Sequence, residues 1–235
     1  MERGGARRGA RGRARRRLVL TVVKVGGGLA RDAGDDALRA LCVEIGAAGA
    51  RHPLLVVPGG GEFADAVRAY DRRVGLEERS AHWMAILAMD QFGWALSELI
   101  PGAVRRSGLG PVPAGVVPVL LPSALLAERD PLPASWDVTA DSIAAWVAGA
   151  AGAARLVLVK PVAGLHAAWP PDGAPVARMT AAELEARRLG GVDAHLPAAL
   201  RAAGVGETWV IDGRAPGRLT ELLDEGRTAG TLVTA

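Results

Sequence analysis

Lysine is almost missing from this chain: of 28 Lys and Arg positions, only Lys24 and Lys160 are lysine. Cysteine is as scarce. The single Cys42 excludes an internal disulfide and any cysteine-built metal site, so the composition carries no sign of an oxidising compartment. Long apolar runs are missing too. None reaches the roughly 18 residues a membrane helix needs, although half of the 235 residues are hydrophobic, which suits a soluble α/β chain with a substantial core. The folded part also lacks an excess of positive charge. The net charge is +3, but residues 1–17 hold eight arginines against Glu2, a tail charge of +7, which leaves −4 for the remainder. An acidic body argues against nucleic acid as the principal ligand. The Gly/Ala/Arg-rich tail has no apolar periodicity and is expected to be disordered. Arg15-Arg16-Arg17 ahead of LVLTVV has the flavour of a signal peptide. The apolar run is broken by Lys24 and ends in glycines without a small-residue cleavage site, so no export is expected and the cytoplasm is the expected location.

What is present is organised around the two lysines. Each closes a buried-looking β run, LVLTVVK and RLVLVK. A lysine ammonium is a compact point charge suited to a single phosphate oxygen, whereas arginine wants a flat bidentate partner. After the first run come Gly26, Gly27 and Gly28, whose missing side chains let backbone N–H groups approach an anion. A helix is predicted over Asp35 to Ala48, with Leu38, Leu41, Cys42 and Ile45 at helical spacing. A second strand, Leu54 to Val57, breaks into Gly59, Gly60 and Gly61. Strand, glycine loop and helix, twice over, is the grammar of a parallel sheet with ligands at the carboxyl ends of its strands. Neither loop has the GxGxxG spacing of dinucleotide folds or the GxxxxGK[ST] spacing of a P-loop.

Further on, Phe63 to Tyr70 continues as a helix. A longer helix over Ser80 to Ile100 is apolar on nearly all sides, which implies deep burial or packing against a second subunit. His82 and Asp90 are its polar exceptions, either internally satisfied, the favoured alternative, or part of a pocket. A strand is predicted over Gly115 to Leu121, and Pro131 and Pro133 mark a lobe boundary. Thr139 is a plausible N-cap for a helix carrying Ile143, Trp146, Val147 and Ala150. That places Asp137 just before, and Asp141 inside, its first turn. The helix dipole explains either acid alone, but less well the pair just ahead of the second lysine strand, Arg155 to Lys160. The loop PVAGLH follows, then a helix from Thr180 to Arg188, a loop and helix within GGVDAHLPAALRAAG, a strand ending at Asp212-Gly213, a last helix RLTELLDEG, and GTLV as a closing edge strand.

Two lysines at strand ends, two glycine loops and an acid pair suit phosphoryl transfer, in which catalysis is mostly positioning and charge neutralisation. An aspartate can fix the lysines or reach a Mg²⁺ brought in on the nucleotide phosphates.

The ordered blocks VVKVGGG, VVPGGGEFA, DVTADSIAA, LVLVKPVAGL and VIDGR resemble the amino acid kinase family, which includes acetylglutamate, aspartate and uridylate kinases. Within it, AHWMAILAMDQFGWAL and SWDVTADSIAAWVA are most similar to the branch that phosphorylates the phosphate of aminomethylfuran-methanol phosphate in methanofuran biosynthesis. The resemblance runs from Leu18 to the C-terminus. It implies an open three-layer αβα sandwich with a mainly parallel sheet. It also implies an acceptor-binding lobe (18–130), a nucleotide-binding lobe (131–235), ATP with Mg²⁺ carried on its phosphates, a small anionic acceptor and a homo-oligomer. Lys24 would stabilise the phosphoryl group in flight, with Asp141 ordering it as the second catalytic residue. Gly26, Gly27, Gly28, Asp137, Lys160, Val162, Gly164 and Leu165 would border the nucleotide. Gly59, Gly60, Gly61 and Phe63 would hold the acceptor, and no protein-built metal site is implied. In one departure, many family members place a second catalytic lysine after a Gly-Gly or Gly-Met segment, where GGVDAHLP has only Asp193 and His195. The alternatives are a kinase of a carboxylate or carbamate, or a noncatalytic nucleotide- or oxyanion-binding relative.

Overall fold

The structure, a computed structural model, describes residues 18–129, 131–168 and 173–234; the tail expected to be disordered, residues 1–17, lies outside the described residues. In chain order the elements are β1 (Thr21–Val25), α1 (Gly28–Ala33), α2 (Asp35–Gly49), β2 (Leu54–Pro58), α3 (Gly61–Val74), α4 (Glu78–Leu99), β3 (Ala103–Arg106), β4 (Val117–Leu120) and α5 (Pro122–Arg129). They continue with α6 (Ala140–Ala150), β5 (Arg155–Lys160), β6 (Arg178–Thr180), α7 (Ala181–Arg187), α8 (Leu196–Ala203), β7 (Glu207–Asp212), α9 (Arg218–Glu225) and β8 (Thr231–Thr234).

The apolar runs TVVKV, LLVVP and RLVLVK are buried along almost their whole length, the signature of parallel strands covered on both faces. They form the centre of one sheet ordered β3-β4-β2-β1-β5-β7-β8-β6, in which only the β7–β8 pair is antiparallel. The chain runs outward from β1 to β2 on one side and resumes at β5 on the other. The crevice at the carboxyl end of β1 is therefore a topological switch point, where open α/β sheets place their ligands.

Alternation along the strands decides which layer each lysine meets. Val22, Leu156 and Leu158 pack into a core with α6 and α8, whereas Val23, Val25, Val157 and Val159 pack into the opposite core with α2 and α9. With a side-chain period of two, Lys24 and Lys160 both fall on the α6 side. Helices thus cover both faces, giving the expected αβα sandwich. The long helix α4 feeds both cores, Ile86 and Met89 into one and Phe92 and Leu96 into the other, which accounts for its apolar residues on nearly all sides.

Several local expectations are corrected. GTLV is not the edge: β8 pairs antiparallel with β7 and parallel with β6, so the edge belongs to the three-residue β6. That strand is too short to show a period of its own. The first strand begins at Thr21 rather than Leu18, and the glycine triplet after it leads directly into α1. β3 and α5 flank β4 between residues 102 and 130, where only the strand over Gly115 to Leu121 was expected. Thr180 caps α7 through a reciprocal capping box: Glu183 N–H donates to its hydroxyl at 3.1 Å, and the Glu183 carboxylate accepts its N–H at 2.7 Å.

Candidate active site

At the switch point both lysines meet one carboxylate. Lys24 Nζ, at the end of β1, lies 2.8 Å from Asp141 Oδ1, and Lys160 Nζ, at the end of β5, donates to Asp141 Oδ2 at 2.5 Å. Asp141 occupies the first turn of α6 and its side chain is 3% exposed. Burial alone would raise its pKa, but the Lys160 and Lys24 ammoniums outweigh that and hold the carboxyl well below the usual carboxylate range. Burial lowers the Lys160 pKa, and attraction to Asp141 opposes that shift. Asp141 is therefore an anionic clamp for two cations, a role incompatible with accepting a proton at neutral pH.

The clamp rests on Asp193. Thr139 stands at the N-cap position of α6, but its hydroxyl does not cap the helix. Instead the Asp193 carboxylate, 54 residues away, accepts from Thr139 N–H and Oγ1, each at 2.9 Å, while Ser142 donates its N–H at 2.9 Å and its hydroxyl at 2.5 Å. The Asp193 N–H in turn donates to Asp141 Oδ2 at 3.3 Å. Burial, followed by repulsion from Asp141, raises the Asp193 pKa against the hydrogen bonds from Ser142 and Thr139.

The glycine loops need to be glycine because they touch each other. A Cβ on Gly27 would lie 2.1 Å from Gly61 Cα, and one on Gly59 would lie 2.9 Å from Gly27 N. A Cβ on Gly26 would lie 2.9 Å from the Val159 carbonyl and 3.5 Å from Lys24 Nζ. Gly60 and Gly61 open α3, so the unpaired N–H groups of a 14-residue helix lie at the same place, an arrangement that favours an anion.

Lys24, Gly27, Gly28, Gly59, Gly60 and Gly61 line one cleft. Sequence reasoning did not single out most of its remaining wall. Arg31 and Arg68 share Asp65, each donating to a different carboxylate oxygen at 2.8 Å. Arg68 also stacks over Trp136, its guanidinium carbon 5.2 Å from the ring centroid, and the indole N–H donates to Asp71 at 2.9 Å. Ile86, Met89 and Ile143 supply the apolar side, and His82 lines the cleft as well. A signal existed: Gly61, Ala64, Asp65 and Arg68 lie three, four and seven residues apart, one face of α3 continuing from the glycine loop. Nothing comparable marked Trp136, which reaches the cleft from the irregular segment before α6.

Other expected site residues lie apart. Asp137 is exposed, its N–H bonded to Ser135 Oγ and its carbonyl to the His195 N–H, and it does not line the cleft. Phe63 does not line this cleft but an adjoining depression that shares Gly27 and Gly61 with it and adds Leu38, Phe92 and Leu99. Val162 is half-buried beyond Lys160, while Leu165 is wholly buried and its N–H donates to Thr231 Oγ1 at 2.8 Å. Gly164 has φ +153°, and a Cβ on it would lie 2.7 Å from the same threonine's Oγ1. Asp90 is internally satisfied, accepting from the Ser123 N–H at 3.1 Å and from the Ser123 hydroxyl. Among the described residues, no group of three or more His, Cys, Asp or Glu is placed to hold a metal ion, and no helix is long and apolar enough to cross a membrane.

Comparison with known proteins agrees with this geometry. A model described as the amino acid kinase family matches residues 19–105 and 111–212. The chain is 27% identical over 210 residues to the "[5-(aminomethyl)furan-3-yl]methyl phosphate kinase" of Methanocaldococcus jannaschii, covering 87% of this chain and 93% of that protein. It is 41% identical to the acetylglutamate kinase of Beutenbergia cavernae over 126 residues, 51% of this chain and 39% of that one. Among solved structures, the UMP kinase of Ureaplasma parvum superposes with a TM-score of 0.72 at 17% identity, covering 94% of this chain and 100% of that one. The uridylate kinase of Archaeoglobus fulgidus gives 0.69, also at 17% identity, covering 92% and 100%. These two likenesses are of fold.

Proposed function

The chain belongs to the amino acid kinase family, and from that premise we propose that it is an ATP-dependent kinase acting on the phosphate of a small organic phosphate, with aminomethylfuran-methanol phosphate as the named candidate. The observation that carries this is the pair of ammoniums, Lys24 and Lys160, held by one buried carboxylate beside two touching glycine loops. In the proposed reaction an oxygen of the acceptor phosphate attacks the γ-phosphorus of ATP. The new O–P bond forms as the bond to the β,γ-bridging oxygen breaks, the electron pair leaves with ADP, and the acceptor becomes a diphosphate. A phosphate monoester, with a second pKa of about 6, is already anionic at neutral pH and needs no general base. That suits a site whose buried aspartate is saturated by lysines.

In this reading the acceptor lies over residues 18–130 and the nucleotide over 131–235. Lys24 neutralises the phosphoryl group in flight, and Lys160 supplies from β5 the second ammonium that the segment before His195 does not. Mg²⁺ would be carried on the nucleotide's phosphates, since among the described residues no group of side chains offers a cage of its own. The same reading makes the protein a cytoplasmic homo-oligomer, for which the exposed Leu87 and Trp94 of α4 offer an apolar face. The test is Mg-ATP turnover against a panel of small phosphates, carboxylates and carbamates, with products identified by phosphorus NMR. Diphosphate formation is expected. Acyl phosphate would move the acceptor to the carboxylate class, and nucleotide binding without transfer would replace the kinase with a binding or storage protein.

A further inference from the structure

The cleft is built for more than an anion. Its lining carries Lys24, Arg31 and Arg68 against one carboxylate among the described residues, Asp65, which both guanidiniums already share. Asp32 also holds Arg31 and Asp141 holds Lys24, so these cations are paired rather than in excess; Arg68 gives Asp65 a bond from Nη1 and has further N–H donors suited to the flat, bidentate face of a phosphate. A second half of the same wall is apolar: Ile86, Met89, Val138 and Ile143, all members of the core between the sheet and α6, surface here beside the Trp136 indole. Such a wall has no use for the phosphate of a ligand. It needs an apolar body of modest size attached to that phosphate.

Trp136 is fixed in a way a mere surface residue need not be. Its N–H is tied to Asp71 at 2.9 Å, and Arg68 stacks against its ring at 5.2 Å while Asp65 holds that guanidinium from the side. Asp71, Asp65 and Arg68 all belong to α3, whose first turn is the second glycine loop, so one helix positions the glycine N–H groups, the guanidinium and the indole together. Preorganised aromatic side chains bind planar groups at little cost in conformational freedom.

We infer that Arg68 and Trp136 form the acceptor-selecting pair of this site: Arg68 takes the acceptor's phosphate, and Trp136, with the apolar wall, takes a flat ring attached to it. Asp65 acts through Arg68 and is a positioning residue. The inference rests on the kinase reading for its substrate, but it is a statement about binding and is tested as one.

The experiment measures calorimetric binding of furfuryl phosphate and of methyl phosphate to the full chain without ATP, alongside ADP formation with each probe. The unsubstituted protein should bind the ring-bearing probe at least tenfold more tightly. Trp136→Leu should remove about a tenfold share of that preference, the scale of one base-sized stacking contact, whereas Trp136→Phe should keep most of it. Arg68→Gln should weaken both probes, methyl phosphate included, whereas Trp136→Leu should leave methyl phosphate binding nearly unchanged, and Asp65→Asn should act as Arg68→Gln does to a smaller degree. Equal binding of the two probes, or a Trp136→Leu protein with its preference intact, overturns the inference. If Trp136→Leu loses its melting transition, Trp136→Phe and Arg68→Gln decide. Transfer without ring preference would sink this inference alone, ring preference without transfer would sink the kinase reading alone, and a protein showing neither loses both.

Discussion

Lys160 Nζ donates to Asp141 Oδ2 across 2.5 Å, although 19 residues and most of a helix separate the two in the chain. With Lys24 on the other oxygen, every lysine in the molecule is committed to this one carboxylate. Removing a partner from a buried pair leaves an uncompensated charge, a change of about 3–5 kcal/mol. Asp141→Asn should therefore lower the melting temperature and abolish measurable turnover. Calorimetric melting together with ADP formation checks both, and a normally stable, active variant would dissolve the clamp.

The same residue sets a pH dependence. Its folded pKa is depressed, so its contribution to stability is fully present above the ordinary carboxylate range and is lost only as pH falls through the depressed folded value. The stability gap between the unsubstituted protein and Asp141→Asn should begin to shrink only below about pH 4. Denaturant titrations at a series of pH values would reveal a gap that closes earlier.

Each ammonium should be needed as an ammonium. Lys24→Ala and Lys160→Ala should each reduce kcat by ~10² or more, the scale of losing one preorganised charge-stabilising donor. The lysine-to-arginine changes should not restore it, because a planar guanidinium does not fit a position built for a point charge. Steady-state kinetics decide, and an unaltered kcat would remove that lysine from the chemistry.

Gly27→Ala asks whether the touching loops tolerate a methyl group. With its Cβ 2.1 Å from Gly61 Cα, the loops must part, at a cost of about 1–3 kcal/mol for overpacking. Urea denaturation should report that loss.

Capping gives an internal comparison. Asp193→Ala removes the acceptor of four hydrogen bonds at the start of α6 and should destabilise by about 0.5–2 kcal/mol. Thr139→Ala removes only one donor and should cost less. Equal losses would return the cap to Thr139.

Much of this architecture is legible in local pattern. The runs TVVKV, LLVVP and RLVLVK are apolar without alternation because both faces of a parallel strand are covered, and the Thr180-to-Glu183 spacing announces a helix start that the structure contains. The two lysines, the two glycine triplets and Asp141 are likewise visible as a scarce residue type, a loop composition and an acid in a first helical turn. Short or context-dependent elements are not. β6 has three residues and takes the sheet edge only because β8 lies between it and β7, and Asp193 caps a helix whose own N-cap residue has a hydroxyl fit for the task.

Local composition dictates which segments must be buried and where the backbone must be bare, since each follows from what a short stretch of chain can hide from water, and it limits the ammoniums to two. Only the assembled fold shows that each ammonium takes a different oxygen of Asp141 and that Arg68 and Trp136, from α3 and a distant loop, face a common cleft. The reason is that a strand's period tells which side a residue faces, while the order in which strands pair across the sheet depends on contacts between segments with no local record of one another.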